Sequence, residues 1–245
     1  MEIATQTAET RVRIEPGFAW DEQEAYLFDI DGTLLRNRDH IHRDSFAAGV
    51  LEVTGIDIEP FLFLTPGGTD PAILRDACEK AGIAREAIES QLDAILEGIR
   101  RSFNERRREM EIRIMPGVRE ALAHLAGKGA LLGVATGNLE AIGWIKMEEA
   151  GLREWFRFGG FSDQFPNRAE LIGDAARRAR ELAGAEARVC VVGDTPNDIL
   201  AARANRLPVI AVATGRFNFD ELLALEPEVC ASSLADLMAK NGKAE

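Results

Sequence analysis

From residue 110 onward, apolar and polar positions come in alternating blocks. Short runs rich in β-branched or small residues, ALLGVAT (130–136), FRFGGF (156–161), RVCVVGD (188–194) and PVIAVAT (208–214), stand between longer stretches of helical character. Two of those stretches read as helices from Asn138 to Ala150 and from Ala169 to Ala183. Strands apolar along their whole length and separated by helices predict a parallel sheet covered on both faces. AYLFDI (25–30) is a strand of the same kind, but the next such run begins only at residue 130. Near the C-terminus, EVCASSLADLMAK reads as a short strand running into a closing helix.

The intervening segment, 36–111, carries almost no strand signal. Ile88, Leu92, Ile95, Leu96, Ile99 and Phe103 recur at the spacing of one buried helical face. Phe46, Val50, Leu51 and Val53 suggest a second helix, and Ile73, Leu74 and Ala77 a third. The expected architecture is a Rossmann-like α/β core, formed by residues 21–35 and 116–245, with an all-helical module, 36–115, inserted after the first core strand. Its hinges fall near Arg36–His40 and Ile112–Pro116. Residues 1–20 are expected to form a loosely held arm, and the tail KNGKAE to fray.

Charge narrows the partners. Lysine and arginine number 29 against 41 aspartates and glutamates, a formal charge of −12. That argues against nucleic acid or an anionic membrane as the main partner. No apolar run approaches the roughly 18 residues a membrane span needs, and the first twenty residues lack a signal-peptide core. Cys78, Cys190 and Cys230 show neither zinc spacing nor a disulfide framework. A cytoplasmic location is the simplest expectation. Nothing in the sequence sets an oligomeric state.

The chemistry-bearing residues sit where strands end. In YLFDIDGTLL the period of two aims Asp29 and Asp31 the same way at the carboxyl end of the first strand. That end of an open α/β sheet is where ligands bind. VVGDTPND adds Asp194 and Asp198 in the same relation to a later strand. As many as four carboxylates would converge on one rim, which is unstable unless protons or a cation neutralise them. An all-oxygen set prefers a hard ion, Mg²⁺ with retained waters. A third strand, LLGVATGN, ends in Thr136, Gly137 and Asn138, a hydroxyl and free amides at a helix start, suited to an anion. Metal, hydroxyl and anion hole together suggest a phosphoryl group.

FDIDGTLL, ATGN and GDTPND, in that order and with a helical insert after the first, resemble the haloacid dehalogenase superfamily of phosphohydrolases with a helical (C1-type) cap. The resemblance spans roughly residues 25–238. It implies Asp29 as nucleophile through an aspartyl-phosphate and Asp31 as general acid and then base. It implies Thr136 as a phosphoryl ligand, and Asp29, the Asp31 carbonyl and Asp194 as metal ligands, with Asp198 in support. Capped members of this size resemble phosphoglycolate phosphatases, so the implied substrate is a small phosphorylated metabolite, an organic-acid or sugar phosphate. A phosphosugar mutase, a 2-haloacid dehalogenase and a non-catalytic binding module are the alternatives.

The match departs in places. The family's Lys-Pro pair is missing from SDQFPNRAEL, and Arg168 is the candidate for its basic role. Lys146 is the alternative, but its mid-helix position is expected to lie along the surface. Many relatives follow DGTLL with Asp-Ser, whereas this chain has Arg36-Asn37, which leaves the choice of leaving group open. His42 stands near a position where mutase-like members carry a histidine, but reads as a surface residue at a helix start. TPGGTDPAI (65–73) reads as a glycine loop and helix start, with Gly67, Gly68 and Thr69 as a candidate substrate loop or a plain turn. The basic run RRSFNERRREMEIR is expected to be a solvated, charge-paired face, and the tryptophans to be packing residues.

Overall fold

The computed structural model describes residues 11–63 and 67–241. Its nine strands are β1 Val12–Ile14, β2 Ala25–Phe28, β3 Leu35–Asn37, β4 Ile112–Ile114, β5 Leu131–Ala135, β6 Phe158–Gly160, β7 Val189–Gly193, β8 Val209–Val212 and β9 Val229–Ala231. Seven form one sheet in the order β1-β9-β8-β7-β2-β5-β6, parallel throughout except for β1 at the edge. The chain leaves β2 outward through β5 and β6, then returns to the other flank of β2 through β7. The switch point therefore lies at β2, where side chains leaving the strand ends have open space above them.

Period-two alternation splits the core between the two faces of the sheet. Tyr26, Phe28, Cys190 and Val192 pack on one side, while Ala25, Leu27, Val189 and Val191 pack on the other. The first face is covered by α5 (Val118–Gly127) and α10 (Leu234–Asn241), the second by α7 (Arg168–Ala183), α8 (Pro196–Ala204) and α9 (Phe219–Leu223). All of β2 and β7 is buried, which is why both strands read as unbroken apolar runs.

The inserted module consists of α1 (Ile41–Thr54), α2 (Asp70–Lys80), α3 (Arg85–Glu89) and α4 (Leu92–Glu105). The α4 stripe of Ile95, Leu96, Ile99 and Phe103 is buried as the periodicity predicts, in a separate apolar cluster with Phe46, Val50 and Leu74. Leu51 is an exception and points largely to solvent. The cluster also takes in Leu139, the N-cap of α6 (Glu140–Glu149), and Ile142 and Ile145 of that helix, so the cap shares a core with the helix that follows β5.

One expectation is corrected. Residues 11–20 are not a loose arm: Val12, Arg13 and Ile14 pair with Ala231, Cys230 and Val229, and Trp20 is 3% exposed within the main core. Residues 1–10 and 242–245 lie outside the described residues, as do Leu64, Thr65 and Pro66 of the glycine-loop region. The segment 36–111 is nearly strand-free as read, with only Arg36 and Asn37 in β3; β3 and β4 pair antiparallel, Leu35 with Ile114 and Asn37 with Ile112, where the hinges were expected. β1, β3 and β4 read VRI, LRN and IRI, each with an arginine in three residues, and unlike the equally short β6 and β9 they sit in no longer run of apolar or small residues, so the pattern carried no signal for them.

The expected surface character of the basic run holds. Arg100 pairs with Asp163 at 2.7 Å, Arg107 with Glu149 at 2.7 Å and Arg106 with Asp44 at 3.3 Å. Trp144 and Trp155 pack half-buried against the main core. Among the described residues, no helix is long and apolar enough to cross a membrane.

Candidate active site

The ends of β2, β5 and β7 open into one cavity of about 580 Å³. Asp29, Asp31, Thr136, Gly137, Asn138, Arg168 and Asp194 all line it. After β2 the chain turns at once: the Ile30 carbonyl accepts from the amides of Leu34 and Leu35, and Gly32 takes φ +91°. A side chain at Gly32 would be strained and would also collide with the Asp194 carboxylate. The turn thus keeps Asp29 and Asp31 at the strand mouth while admitting Asp194 beside them.

The GDTPND segment places its acids by helix capping. Thr195 is the N-cap of α8, and the Asp198 carboxylate accepts from the Thr195 amide at 3.0 Å and hydroxyl at 2.7 Å in a capping box. The other Asp198 oxygen takes two bonds from Arg168, one of them from Nε at 3.0 Å. Arg168 is the first residue of α7, whose N-cap Asn167 accepts from the amides of Ala169 and Glu170. From there its guanidinium reaches Asp29 at 2.9 Å. The sequence candidate for the basic position therefore sits against Asp29.

Asp29 is 6% exposed, and carboxylate oxygens of Asp29, Asp194 and Asp198 lie within 4.8 Å of one another. Burial, with Asp198 adding to it against the pull of Arg168, pushes Asp29 up to about 6. Burial together with Asp29 and Asp198 pushes Asp194 up to about 9. Fully ionised, three carboxylates against one arginine would leave an excess of two negative charges in a buried space. Thr33 donates to one Asp194 oxygen at 3.0 Å, and both Asp198 oxygens are engaged. The oxygens left to a cation are therefore those of Asp29 and Asp194. A hard dication fits this donor set in charge and in type.

Asp31 belongs to a different network, and here the surface reading of Lys146 is corrected. Lys146 is 1% exposed and donates to both Asp31 oxygens, at 2.8 and 2.6 Å, and to Asn138 Oδ1 at 2.7 Å. Its position was legible after all: Leu139, Ile142 and Lys146 fall at i, i+3 and i+7, one buried stripe. The Asp31 side chain stays 44% open at the cavity mouth, yet protein atoms crowd around it. Burial works to raise its carboxyl, and Lys146 with the Asn138 amide outweighs it, so Asp31 lies below the ordinary carboxylate range.

His42 is likewise not a surface histidine. Lys146 Nζ, which can only donate, lies 3.2 Å from His42 Nδ1, so Nδ1 accepts and the Nε2–H faces Asp70 at 3.2 Å. Asp70, the first residue of α2, also accepts from the Leu139 amide at 2.8 Å, and its own amide donates to the Gly137 carbonyl at 2.7 Å. The sequence reading treated Asp70 only as a helix start. In three dimensions it docks the cap on the loop after β5.

Thr136 is fully buried and accepts from the Asn138 side chain at 2.7 Å, which leaves the hydroxyl its proton to donate into the cavity. Gly137 lacks a Cβ where the Gly68 carbonyl packs against it. Gly67 and Gly68 line the cavity. Thr69 caps α2 by position only, since its hydroxyl donates to the Pro166 carbonyl at 2.6 Å. Arg36, Asn37, Gly215 and Arg216 complete the lining and were not singled out as site residues from the sequence.

Comparison with known proteins gives the family. Residues 23–205 match the family model described as "Hydrolase: haloacid dehalogenase-like hydrolase". A phosphoglycolate phosphatase of Agrobacterium fabrum is 31% identical over 221 residues, covering 86% of this chain and 89% of that protein. In fold, the chain resembles a hydrolase from Pseudomonas syringae (TM-score 0.65, 19% identity, covering 90% of this chain and 99% of that one). It also resembles CbbY from Rhodobacter sphaeroides, solved with xylulose-1,5-bisphosphate (TM-score 0.66, 22% identity, covering 88% and 96%). With the family model spanning most of its length, and a relative of this identity covering nearly all of it, the chain belongs to the haloacid dehalogenase-like hydrolases.

Proposed function

We propose that the protein is a Mg²⁺-dependent phosphatase of the cytoplasm that hydrolyses a small phosphomonoester, an organic-acid or sugar phosphate, through an aspartyl-phosphate on Asp29. The observation that carries this reading is the buried trio of Asp29, Asp194 and Asp198 held against a single arginine at the floor of the cavity. Relatives named phosphoglycolate phosphatase support the substrate class. Residues 36–115 act as the cap over a core of residues 21–35 and 116–245.

In this reading Asp29 attacks phosphorus and the bond to the leaving oxygen breaks, leaving the phosphoryl group on the carboxylate. Asp31, held ionised by Lys146 in the resting site, takes up a proton as the phosphate dianion arrives beside it. It gives that proton to the departing alkoxide, then takes one from the water that attacks phosphorus and frees Asp29. Thr136 and the amides of Gly137 and Asn138 hold phosphoryl oxygens. Arg168 keeps Asp29 ionised and aimed, and is itself held by Asp198. The metal would be held by Asp29, Asp194 and the Asp31 carbonyl. When bound, it offsets the repulsion between a carboxylate nucleophile and a phosphate dianion.

The test is phosphate release from a panel of phosphomonoesters with Mg²⁺ and with chelator. Metal-dependent release is expected. Halide release from 2-haloacids without metal would move the chain to the dehalogenase branch, and a need for a bisphosphate activator would make it a mutase.

A further inference from the structure

The cavity does not end at Asp31. A smaller compartment of about 210 Å³ continues beyond it into the cap, sharing Asp31, Asn37, His42 and Asp70 with the main cavity and walled by Phe46 and Phe63. It has room for about seven waters at roughly 30 Å³ each, so a leaving group of a few carbons fits. Of its polar groups, the carboxylates are all engaged. Asp31 takes Lys146 and Asn138, Asp70 takes the Leu139 amide and faces His42, and Asp39 accepts from the amides of Ile41 and Glu111.

Besides His40, which is exposed to solvent, two groups are left over. Neither the nitrogen nor the oxygen of the Asn37 carboxamide has a hydrogen-bond partner, although both are shut from bulk water. Arg43 Nε is buried and unpartnered in the same way, and among the described residues no carboxylate pairs with its guanidinium. Buried polar atoms without partners are rare because the desolvation they suffer goes uncompensated. Asn37 and Arg43 both line one small compartment, next to the proposed acid Asp31. A carboxamide presents a donor and an acceptor side by side, which matches a hydroxyl. An unpaired guanidinium matches a carboxylate.

Resting on the phosphatase reading above, we propose that Asn37 and Arg43 select the leaving group. The substrate is then the phosphate ester of a hydroxy acid that carries a second, free hydroxyl. The ester oxygen sits at Asp31, the free hydroxyl at the Asn37 carboxamide and the carboxylate at Arg43. This assigns a purpose to the Arg36-Asn37 departure from the common sequence, since Arg36 itself is occupied by the Thr214 and Gly215 carbonyls.

Four three-carbon esters separate the contributions: 3-phosphoglycerate, glycerol 3-phosphate, 3-phosphooxypropanoate and n-propyl phosphate. Wild-type kcat/KM should rank 3-phosphoglycerate first and n-propyl phosphate last, with the hydroxyl and the carboxylate each contributing about tenfold or more. Asn37→Ala should bring the hydroxyl ratio to within about threefold of unity and keep the carboxylate ratio. Arg43→Ala should do the converse. Asn37→Asp keeps the shape and the acceptor, and should reverse the preference for the carboxylate esters by repulsion. Equal wild-type rates on all four esters overturn the proposal without any variant. An equal loss on all four in Asn37→Ala also overturns it, since that marks a packing role in the hinge. p-Nitrophenyl phosphate separates the two levels. Its hydrolysis beside a flat panel sinks only the leaving-group assignment, whereas no release from any ester sinks the phosphatase reading with it.

Discussion

Arg168 and Lys146 divide the DID aspartates between them, one cation on Asp29 and the other on Asp31. Their losses should therefore differ. Arg168→Ala strips Asp29 and Asp198 of their shared partner and leaves buried carboxylates uncompensated, a change that costs about 3–5 kcal/mol in comparable settings. In the proposed mechanism it also misplaces the nucleophile, so kcat should fall by about a hundredfold or more. Lys146→Ala should cost less turnover and instead change its pH dependence. With Lys146 gone, the largest pull against burial at Asp31 is lost, the Asn138 amide remains, and the pKa rises. The limb of the pH–rate profile that reports Asp31 should then move to higher pH. A larger kcat loss in Lys146→Ala than in Arg168→Ala would reverse the assignment of the two cations. Both positions lie on helices whose apolar stripes were readable, but a stripe says which side is buried, not which carboxylate waits there. His42 and Asn37 were less legible still, because their surroundings come from residues distant in sequence.

At the scale of elements, the site is built from strand ends and helix starts, and those were legible. β2, β5 and β7 are unbroken apolar runs that stop at aspartate, threonine and aspartate, and T-P-N-D is a helix-start signature in itself. What escaped the reading were β1, β3 and β4, each three residues long, and the true start of α6, two residues after Asn138. The capping box of α8 joins fold and site, because the Asp198 oxygen that caps the helix fixes the other one against Arg168. Thr195→Val should cost about 1–2 kcal/mol of stability by denaturant titration, the range for a lost N-cap. It should also lower kcat, since Asp198 then loses the shorter of the two bonds on that oxygen and keeps only the amide of residue 195 there. Unchanged kcat in a destabilised Thr195→Val protein would confine the box to a folding role.

On the scale of the whole molecule, cap and core are joined by a shared apolar cluster, by Asp70 on the loop after β5 and by ion pairs from Arg100 of α4 and from Arg107 just beyond it, with β3–β4 as the hinge ribbon. The stability of this assembly is tied to the charge it buries. In the metal-free protein, Asp29 and Asp194 have raised pKa values, so the folded state holds protons that the unfolded chain releases near pH 4. That contribution is fully present below the unfolded pKa and is lost as pH rises through about 6 and then about 9. Thermal unfolding in chelator should therefore fall to lower temperature from pH 5 to pH 9. Mg²⁺ should restore most of the loss, by more at pH 9 than at pH 5. A Mg²⁺ effect equal at both pH values would place the cation away from these carboxylates.

The central claim is that Asp29 carries the phosphoryl group, and acid quenching during turnover tests it most directly. Protein quenched in the presence of Mg²⁺ and a hydrolysed ester, then digested and mapped by mass spectrometry, should carry phosphate on the peptide containing Asp29. Asp29→Asn protein treated the same way should carry none and release no phosphate. Phosphate mapped to another residue, or sustained phosphate release by Asp29→Asn, would contradict the account.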